Sequence, residues 1–412
     1  MYDGWLQSVE NGLISGVCML DMSAAFDVVD HQILLQKLSL YGLHNDALNW
    51  ISSYLSERTQ CVTIDGSLSK MLPVKSGVPQ GSILGPLLYT VFTNELPEVI
   101  HDEHLIDHHT GNPIFHNDKD NLGCICCYTD DTTLTCTDST SGGLTRKLST
   151  CYDKIANFLR DNRLKLNDEK TNLLVIDRGG SKSKYEQERK VVINTPSLVI
   201  SPTETQLKLL GCNIHENLKW TDHLMTNENS LLKGLNQRLA ALQKLARIAS
   251  FRDRKMVANG IFMSKLLYLI SLWGGCSKEL KNALQVIQNK AARVVARREA
   301  SLIDMYKQIG WLSVNQLIFY HTVLLVFKVR GNGSPMYLSS MFHSSYAYNT
   351  RQASRELLRV DQRPRLELTK SSFKWRGSAY FNELPSSIRS EASETIFKNQ
   401  TRIRIIENIS FN

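Results

Sequence analysis

Apolar residues in the first half of the chain come in short runs between polar turns, a pattern typical of mixed strands and helices. Residues 17–21 (VCMLD) are an apolar run that ends in a carboxylate, which predicts a buried strand. Residues 125–128 (ICCY) and 132–137 (TTLTCT) flank a Thr-Asp-Asp turn and predict a tight hairpin. Leucines and isoleucines at helical spacing over 144–159 predict the helix that follows.

From about residue 229 the apolar positions recur at helical spacing instead. Leucines form one face over 231–242, and a second apolar stripe covers 284–294. Neither stretch keeps the heptads of a coiled coil. The change of pattern places a boundary near 222–230. We therefore predict an α+β first half and a mainly helical second half.

Charge divides the chain at the same place. Residues 1–228 hold 19 Lys and Arg against 29 Asp and Glu, whereas residues 229–412 hold 29 against 11, and the two halves sum to +8. A basic half that also carries aromatic residues predicts a polyanionic partner such as nucleic acid. The sequence does not indicate a protein partner.

Composition argues against several other classes of protein. The chain has 412 residues, of which 42% are hydrophobic, enough for more than one core. Nine cysteines are an odd number, so a disulfide framework is not expected and a reducing, intracellular location is favoured. The longest apolar stretch, Ile261–Trp273, contains Lys265 and is too short to cross a bilayer, so no membrane partner is predicted.

Three carboxylates stand where apolar strands end. Asp21 closes the first predicted strand, and Asp130 and Asp131 occupy the tip of the hairpin. Neighbouring strands lie about 4.8 Å apart, so these side chains would meet if the strands share a sheet. Clustered carboxylates repel one another unless they share a cation, and Mg²⁺ prefers such oxygen ligands. The alternative is a solvated Asp-Asp turn unrelated to Asp21.

Five stretches, in order along the chain, resemble the motifs of reverse transcriptases. They read LDMSAAFD at 20–27, SGVPQGSILGP at 76–86, YTDD at 128–131, NDEKT at 167–171 and LLGC at 209–212. Their amino-acid sequences are most similar to those of the polymerases of non-LTR retrotransposons of the Jockey and CR1 kind. The resemblance implies an α+β right-hand polymerase palm over 1–222, a helical thumb over 223–300 and a basic C-terminal region over 301–412.

The resemblance assigns roles to the carboxylates and to residues near them. Asp21, Asp130 and Asp131 would be catalytic and would bind two Mg²⁺ ions, with Mn²⁺ as the alternative metal. Phe26 would lie against the sugar of the incoming nucleotide and exclude a 2′-hydroxyl, unless it is a core aromatic residue. The remaining substrate-binding residues would be Gln80, Gly81 and Lys170, although Lys170 could instead be a solvated surface lysine.

The resemblance also implies contacts with nucleic acid in the second half. Leu210, Gly211 and Cys212 would form the primer grip, with Gly211 admitting the primer terminus unless it is an ordinary bulge glycine. Further along the chain, three cations recur along one helix face and could follow a phosphate backbone. They are Lys290, Arg293 and Arg297. A solvated helix face is the alternative for this set.

The implied activity is RNA-directed DNA polymerisation, in which dNTPs are added to a DNA primer on an RNA template in the nucleus. Only 20 residues precede Asp21, whereas the family places a fingers subdomain and an endonuclease before this motif. We therefore expect an N-terminally truncated polymerase. Two alternatives are a catalytically inactive nucleic-acid-binding remnant and a group II intron-type maturase. The sequence GVPQGSILGP at 77–86 and the sequence NELP at 382–385 disfavour the maturase.

Residues 98–123 are polar and lack apolar periodicity, which predicts an insertion before the hairpin. The segment contains five histidines, at positions 101, 104, 108, 109 and 116, and is followed by Cys124, Cys126 and Cys127. Some of these spacings could ligate zinc, but no pair of C-x2-C units is present. Since the cysteines also fit the predicted strand, zinc is not expected.

Overall fold

The computed structural model describes most of the chain. The described residues are 1–100, 123–177, 191–195, 198–202, 205–297, 301–332, 335–342, 357–359 and 364–407. Most of the predicted insertion at 98–123, with its histidines, lies outside the described residues, as does the segment 178–190. Two compact units divide the chain. The sheet unit is Gly12–Leu207, and the helical unit is Met1–Asn11 together with Lys208–Asn412.

The sheet unit contains both strands and helices, whereas the elements named after residue 215 in the described part of the chain are helices. The strands are β1 Ile14–Leu20, β2 Thr59–Gln60, β3 Thr63–Ile64, β4 Ser67–Leu68, β5 Leu72–Pro73, β6 Cys124–Tyr128, β7 Asp131–Asp138, β8 Asn172–Ile176, β9 Ile193–Asn194, β10 Val199–Ile200, β11 Gln206–Leu209 and β12 Cys212–His215. The helices are α1 Tyr2–Glu10, α2 His31–Leu40, α3 Asn45–Leu55, α4 Leu84–Thr93, α5 Ser141–Asp161, α6 Leu231–Leu245, α7 Phe251–Val257, α8 Ser264–Leu267, α9 Ile270–Trp273, α10 Lys278–Ala296, α11 Leu302–Ile309, α12 Val314–Asn332, α13 Met336–Ser339, α14 Phe373–Glu383, α15 Ser386–Arg389 and α16 Glu394–Glu407.

A four-stranded antiparallel sheet in the order β6-β7-β1-β8 forms the centre of the sheet unit. Helix α5 packs on β1 and β7, and its apolar stripe is buried there. Gly16 permits this approach, because a Cβ at that position would lie 2.7 Å from Leu148 Cδ1. Helices α2, α3 and α4 share the same core. The predicted strand, hairpin and helix are therefore confirmed, as is the α+β fold class.

Helix packing builds the helical unit. Helix α6 lies against α10 and buries Leu231, Leu235, Leu239 and Leu242, the stripe seen in the sequence. Each such leucine contributes about 2 kcal/mol by leaving water. A second core joins α12, α14 and α16, where Phe381 is fully buried. The predicted helical character of the second half is confirmed.

Helix α1 belongs to the helical unit although it begins the chain. Its Asp3 carboxylate accepts hydrogen bonds from the backbone N–H groups of Phe373, at 2.9 Å, and Lys374, at 2.7 Å. These groups begin helix α14. A carboxylate there satisfies unpaired N–H donors and interacts favourably with the positive end of the helix dipole. Glu10 accepts in the same way from the Arg365 N–H, at 2.6 Å, and from the Thr369 hydroxyl, at 2.7 Å.

By length and composition, one stretch of the described residues could cross a membrane. It is Leu302–Gly331, and 61% of its most apolar window is buried inside the protein. Gly310 adopts a φ of 74° and separates α11 from α12 within the stretch. Such burial is typical of helices in a protein core.

Candidate active site

The three predicted carboxylates meet at one edge of the sheet, which we call the acidic edge (Asp21, Asp130 and Asp131). Strand β1 ends at Leu20, which pairs with Thr132, so Asp21 follows at the level where β7 begins with Asp131. Asp130 stands at the tip of the β6–β7 hairpin. Asp21 is half-buried, and the other two residues are exposed. The sheet register therefore brings the two motifs together.

Electrostatic interaction links these carboxylates. The pKa of the Asp131 carboxyl is raised by its partial burial and then by the negative charges of Asp130 and Asp21. Like charges oppose ionisation of a neighbouring acid, whereas a shared cation would relieve the repulsion. The acidic edge is therefore an electronegative position open to solvent.

The donor atoms of the acidic edge suit a hard divalent cation. Among the described residues, no group of three or more His, Cys, Asp or Glu side chains is arranged to hold a metal ion by itself. Mg²⁺ does not require such a group, because it is usually held by one or two carboxylates together with substrate phosphates and water. The oxygen-only donor set and the mutual repulsion fit this mode of binding.

The hairpin tip holds Asp130 through its neighbour. Thr129 adopts a φ of 54°, in the left-handed region that is uncommon for a β-branched residue. Its hydroxyl lies 2.6 Å from the Tyr128 carbonyl oxygen and 3.0 Å from Asp130 Oδ1. A side chain without this hydroxyl would lose both contacts.

We expect Asp131→Asn to stabilise the metal-free protein at pH 7. The folded protein holds the Asp131 proton more tightly than the unfolded chain, so the associated stability is present at low pH and is lost as the pH rises through the raised pKa. Removing the ionised carboxylate therefore increases the free energy of unfolding, by at most about 1 kcal/mol after solvent screening. Thermal melts between pH 4 and pH 7 test this. A variant less stable than the wild type at pH 7 would contradict it.

The loop at 76–81 is fastened to the segment that follows Asp21. The Val78 N–H donates to the Phe26 carbonyl at 2.8 Å, and the Gly77 N–H donates to the Val29 carbonyl at the same distance. Gly77 adopts a φ of 92°, and a Cβ there would lie 2.7 Å from the carbonyl oxygen of Asp27. Only glycine satisfies both the conformation and the close approach.

The two predicted binding residues of this loop are exposed. Gln80 Nε2 donates to Asp27 Oδ1 at 2.9 Å. Gly81 adopts a φ of 78°, and no atom lies within 4 Å of where its Cβ would stand. The loop thus presents open backbone at Gly81 beside an anchored amide at Gln80.

Phe26 stacks on Tyr89 with ring centroids 4.5 Å apart. Tyr89 is buried, and its hydroxyl lies 3.3 Å from Met22 Sδ. Burial and then the charge of Asp130 raise the pKa of Tyr89. The supporting ring therefore lies within electrostatic reach of the acidic edge. Tyr89 was not singled out from the sequence, where it lies in an apolar stretch after the loop.

Backbone contacts bring the NDEKT segment to the acidic edge. The Asn167 N–H donates to the Asp21 carbonyl at 2.8 Å, and the Ser23 N–H donates to the Lys165 carbonyl at 3.0 Å. Lys170 ends the short 3₁₀ turn Asp168–Lys170 and is exposed. Asn167 was known from the sequence only as the first residue of this motif, and the structure fixes its position by this pairing.

The predicted primer grip belongs to the turn between β11 and β12. Leu210 and Gly211 adopt φ values of 47° and 77°. A two-residue hairpin turn of type I′ requires positive φ at both of its central residues. Cys212 is buried, whereas the other two residues are exposed. The Leu210 carbonyl accepts a hydrogen bond from the Tyr268 hydroxyl at 2.6 Å.

The predicted basic set lies on and after helix α10. Lys290 and Arg293 are exposed, while the opposite side of the helix is buried. Arg297 follows the helix with a φ of 52°. Near the end of this helix Arg254 Nε donates to the Val295 carbonyl at 2.9 Å, and burial and then the charge of Arg297 lower the pKa of Arg254. Cys124, Cys126 and Cys127, whose spacing left zinc as an unexpected alternative, are free thiols and lie on β6.

Comparison with known proteins adds the family. Residues 8–214 match the family described as reverse transcriptase (RNA-dependent DNA polymerase). The probable RNA-directed DNA polymerase from transposon BS of Drosophila melanogaster is 27% identical over 70% of this chain and 30% of its own length. The RNA-directed DNA polymerase from mobile element jockey of the same species is 26% identical over 71% and 29%. The chain thus spans less than a third of these relatives.

A search of solved structures finds the telomerase of Candida tropicalis in complex with a fragment of telomeric RNA. It is 14% identical, with a TM-score of 0.37, over 77% of this chain and 50% of that protein. The same telomerase without ligand gives a TM-score of 0.39.

Proposed function

Because the chain belongs to the reverse transcriptase family, we propose that it adds dNTPs to the 3′ end of a DNA primer on an RNA template. The acidic edge carries this proposal. Asp21 and Asp131 stand at adjacent strand ends, Asp130 precedes Asp131 at the hairpin tip, and partial burial together with the charges of Asp130 and Asp21 raises the pKa of Asp131. Proteins that transfer nucleotides need such a concentration of negative charge to hold divalent cations at the triphosphate.

Asp21, Asp130 and Asp131 would hold two Mg²⁺ ions, since reverse transcriptases generally use divalent metals. Bound ions supply activation of the attacking hydroxyl and stabilisation of the leaving oxygen. In the reaction the primer 3′-oxygen bonds to the α-phosphorus, and the bond to pyrophosphate breaks. The proton of the 3′-hydroxyl passes to water.

Residues around the acidic edge would place the nucleotide. Phe26 would contact its sugar with a ring that is held in place by stacking on Tyr89. Gly81 would admit template and nucleotide to the backbone, and Gln80 would line that opening. Lys170 would offset the negative charge of the triphosphate, as an exposed cation on a loop bonded to Asp21.

Primer extension tests the proposal directly. The purified full chain is given a labelled DNA primer on an RNA template, with dNTPs and Mg²⁺, and the same primer on a DNA template serves as comparison. We expect the primer to lengthen on RNA and extension to stop when EDTA removes the metal. Template binding without extension, weakened as salt rises, would instead support the inactive nucleic-acid-binding remnant.

A further inference from the structure

Tyr268 lies against the turn of the predicted primer grip. Its hydroxyl donates to the Leu210 carbonyl at 2.6 Å, and a Cβ at Gly211 would lie 3.7 Å from its ring. The tyrosine itself is 47% exposed, so water reaches the same face. One side chain therefore touches both turn residues from a position 58 residues further along the chain.

A buried indole holds the backbone of Tyr268. Trp273 Nε1 donates to the Tyr268 carbonyl at 2.9 Å, and Trp273 is fully buried. Between them Leu269 adopts a φ of 55°, in the left-handed region. A non-glycine residue keeps this conformation only where the surrounding structure enforces it.

Contacts from the C-terminal region hold the segment around Leu269 in this conformation. The buried Arg376 donates through Nη2 to the Ser271 carbonyl at 2.7 Å and through Nε to the Ser371 carbonyl at 2.9 Å. The two backbones also approach closely, because a Cβ at Gly275 would lie 2.3 Å from the carbonyl oxygen of Ser371. Residues 371–376 thus hold the segment that carries Tyr268.

We propose that Tyr268 positions the primer grip and that residues 371–376 of the C-terminal region fix Tyr268 for this task. The inference rests on the proposed function, since it assumes that a primer binds at Leu210 and Gly211. It gives part of the C-terminal region a role in primer placement. Tyr268 acts through the turn, so it is a positioning residue.

Tyr268→Phe tests this, because it keeps the ring and removes one hydrogen bond. Loss of a neutral hydrogen bond corresponds to about a fivefold change in an equilibrium constant. We expect the KM for primer–template to rise about fivefold, with the KM for dNTP and the melting temperature unchanged. Water can satisfy the exposed Leu210 carbonyl in the variant, so stability need not fall.

Tyr41→Phe is the matched control. Tyr41 is also 47% exposed, and its hydroxyl accepts from Asn94 Nδ2 at 2.7 Å in the sheet unit. We expect this variant to match the wild type in both KM values. If Tyr268→Phe also matches the wild type while the wild type extends primers, the inference is wrong. If the wild type neither extends nor binds primer–template, the proposed function itself has failed.

Arg376→Lys tests the contribution of the C-terminal region. Lysine keeps the charge but cannot bond to the Ser271 and Ser371 carbonyls with two separate groups in one plane. We expect the same rise in the primer–template KM, and no further rise when it is combined with Tyr268→Phe. Additive effects in the double variant would overturn the link between Arg376 and Tyr268. Should Arg376→Lys fail to fold, Tyr268→Phe decides the primary proposal alone.

Discussion

Asp130→Asn is expected to lower the rate of primer extension by about 10³-fold or more, while primer–template binding stays within about twofold of the wild type. The variant keeps the size of the side chain and its contact with the Thr129 hydroxyl, but it removes a charge from the acidic edge. Single-turnover extension with saturating dNTPs and a filter-binding assay measure the two quantities separately.

Asp65→Asn is the control for this variant. Asp65 is an exposed aspartate at a hairpin turn in the same unit, with a φ of 47° that asparagine also tolerates. We expect it to extend primers at the wild-type rate. Extension by Asp130→Asn within tenfold of the wild type would contradict a metal-binding role for Asp130.

The strand that ends at Asp21 and the hairpin with the Thr-Asp-Asp turn could each be predicted from the sequence, because both are local patterns. Their approach followed once the strands were expected to share a sheet. The place of helix α1 could not be predicted. Asp3 and Glu10 cap segments more than 350 residues away along the chain. Nothing in a nine-residue helix indicates which distant donors its carboxylates will satisfy. Contacts of this kind depend on the packing of the whole unit.

Tyr89 and Tyr268 illustrate a second limit. Each is an aromatic residue within an apolar helical segment, where burial in a core is the ordinary outcome. Tyr89 is buried under Phe26, but Tyr268 is half exposed beside a turn. Residues 58–75 show a third limit. Asp65-Gly66 between two short runs predicts one hairpin, and the turn is present, yet the strands divide into two short pairs, β2 with β5 and β3 with β4.

Phe26→Val is expected to raise the use of ribonucleotides relative to deoxyribonucleotides by about 100-fold. The Phe26 ring cannot move aside easily, because it is stacked on the buried Tyr89 ring. If the ring stands where a 2′-hydroxyl would lie, the smaller valine opens that space. Loss of the stacked pair would also lower the free energy of unfolding by about 1 kcal/mol. The ratio of kcat/KM for dCTP and CTP on one template measures the discrimination.

Phe158→Val separates sugar discrimination from general loss of an aromatic side chain. Phe158 is half-buried on α5 of the same unit, where its ring packs near the Lys37 ammonium. We expect this variant to lose stability to a similar extent and to keep the wild-type preference for deoxyribonucleotides. An unchanged dCTP-to-CTP ratio in Phe26→Val would make Phe26 a core aromatic residue. Phe26 stacks on Tyr89, whose pKa responds to the charge of Asp130, whereas Phe158 is the control on α5. A changed ratio in both variants would therefore mean that the selectivity depends on the stability of the sheet unit.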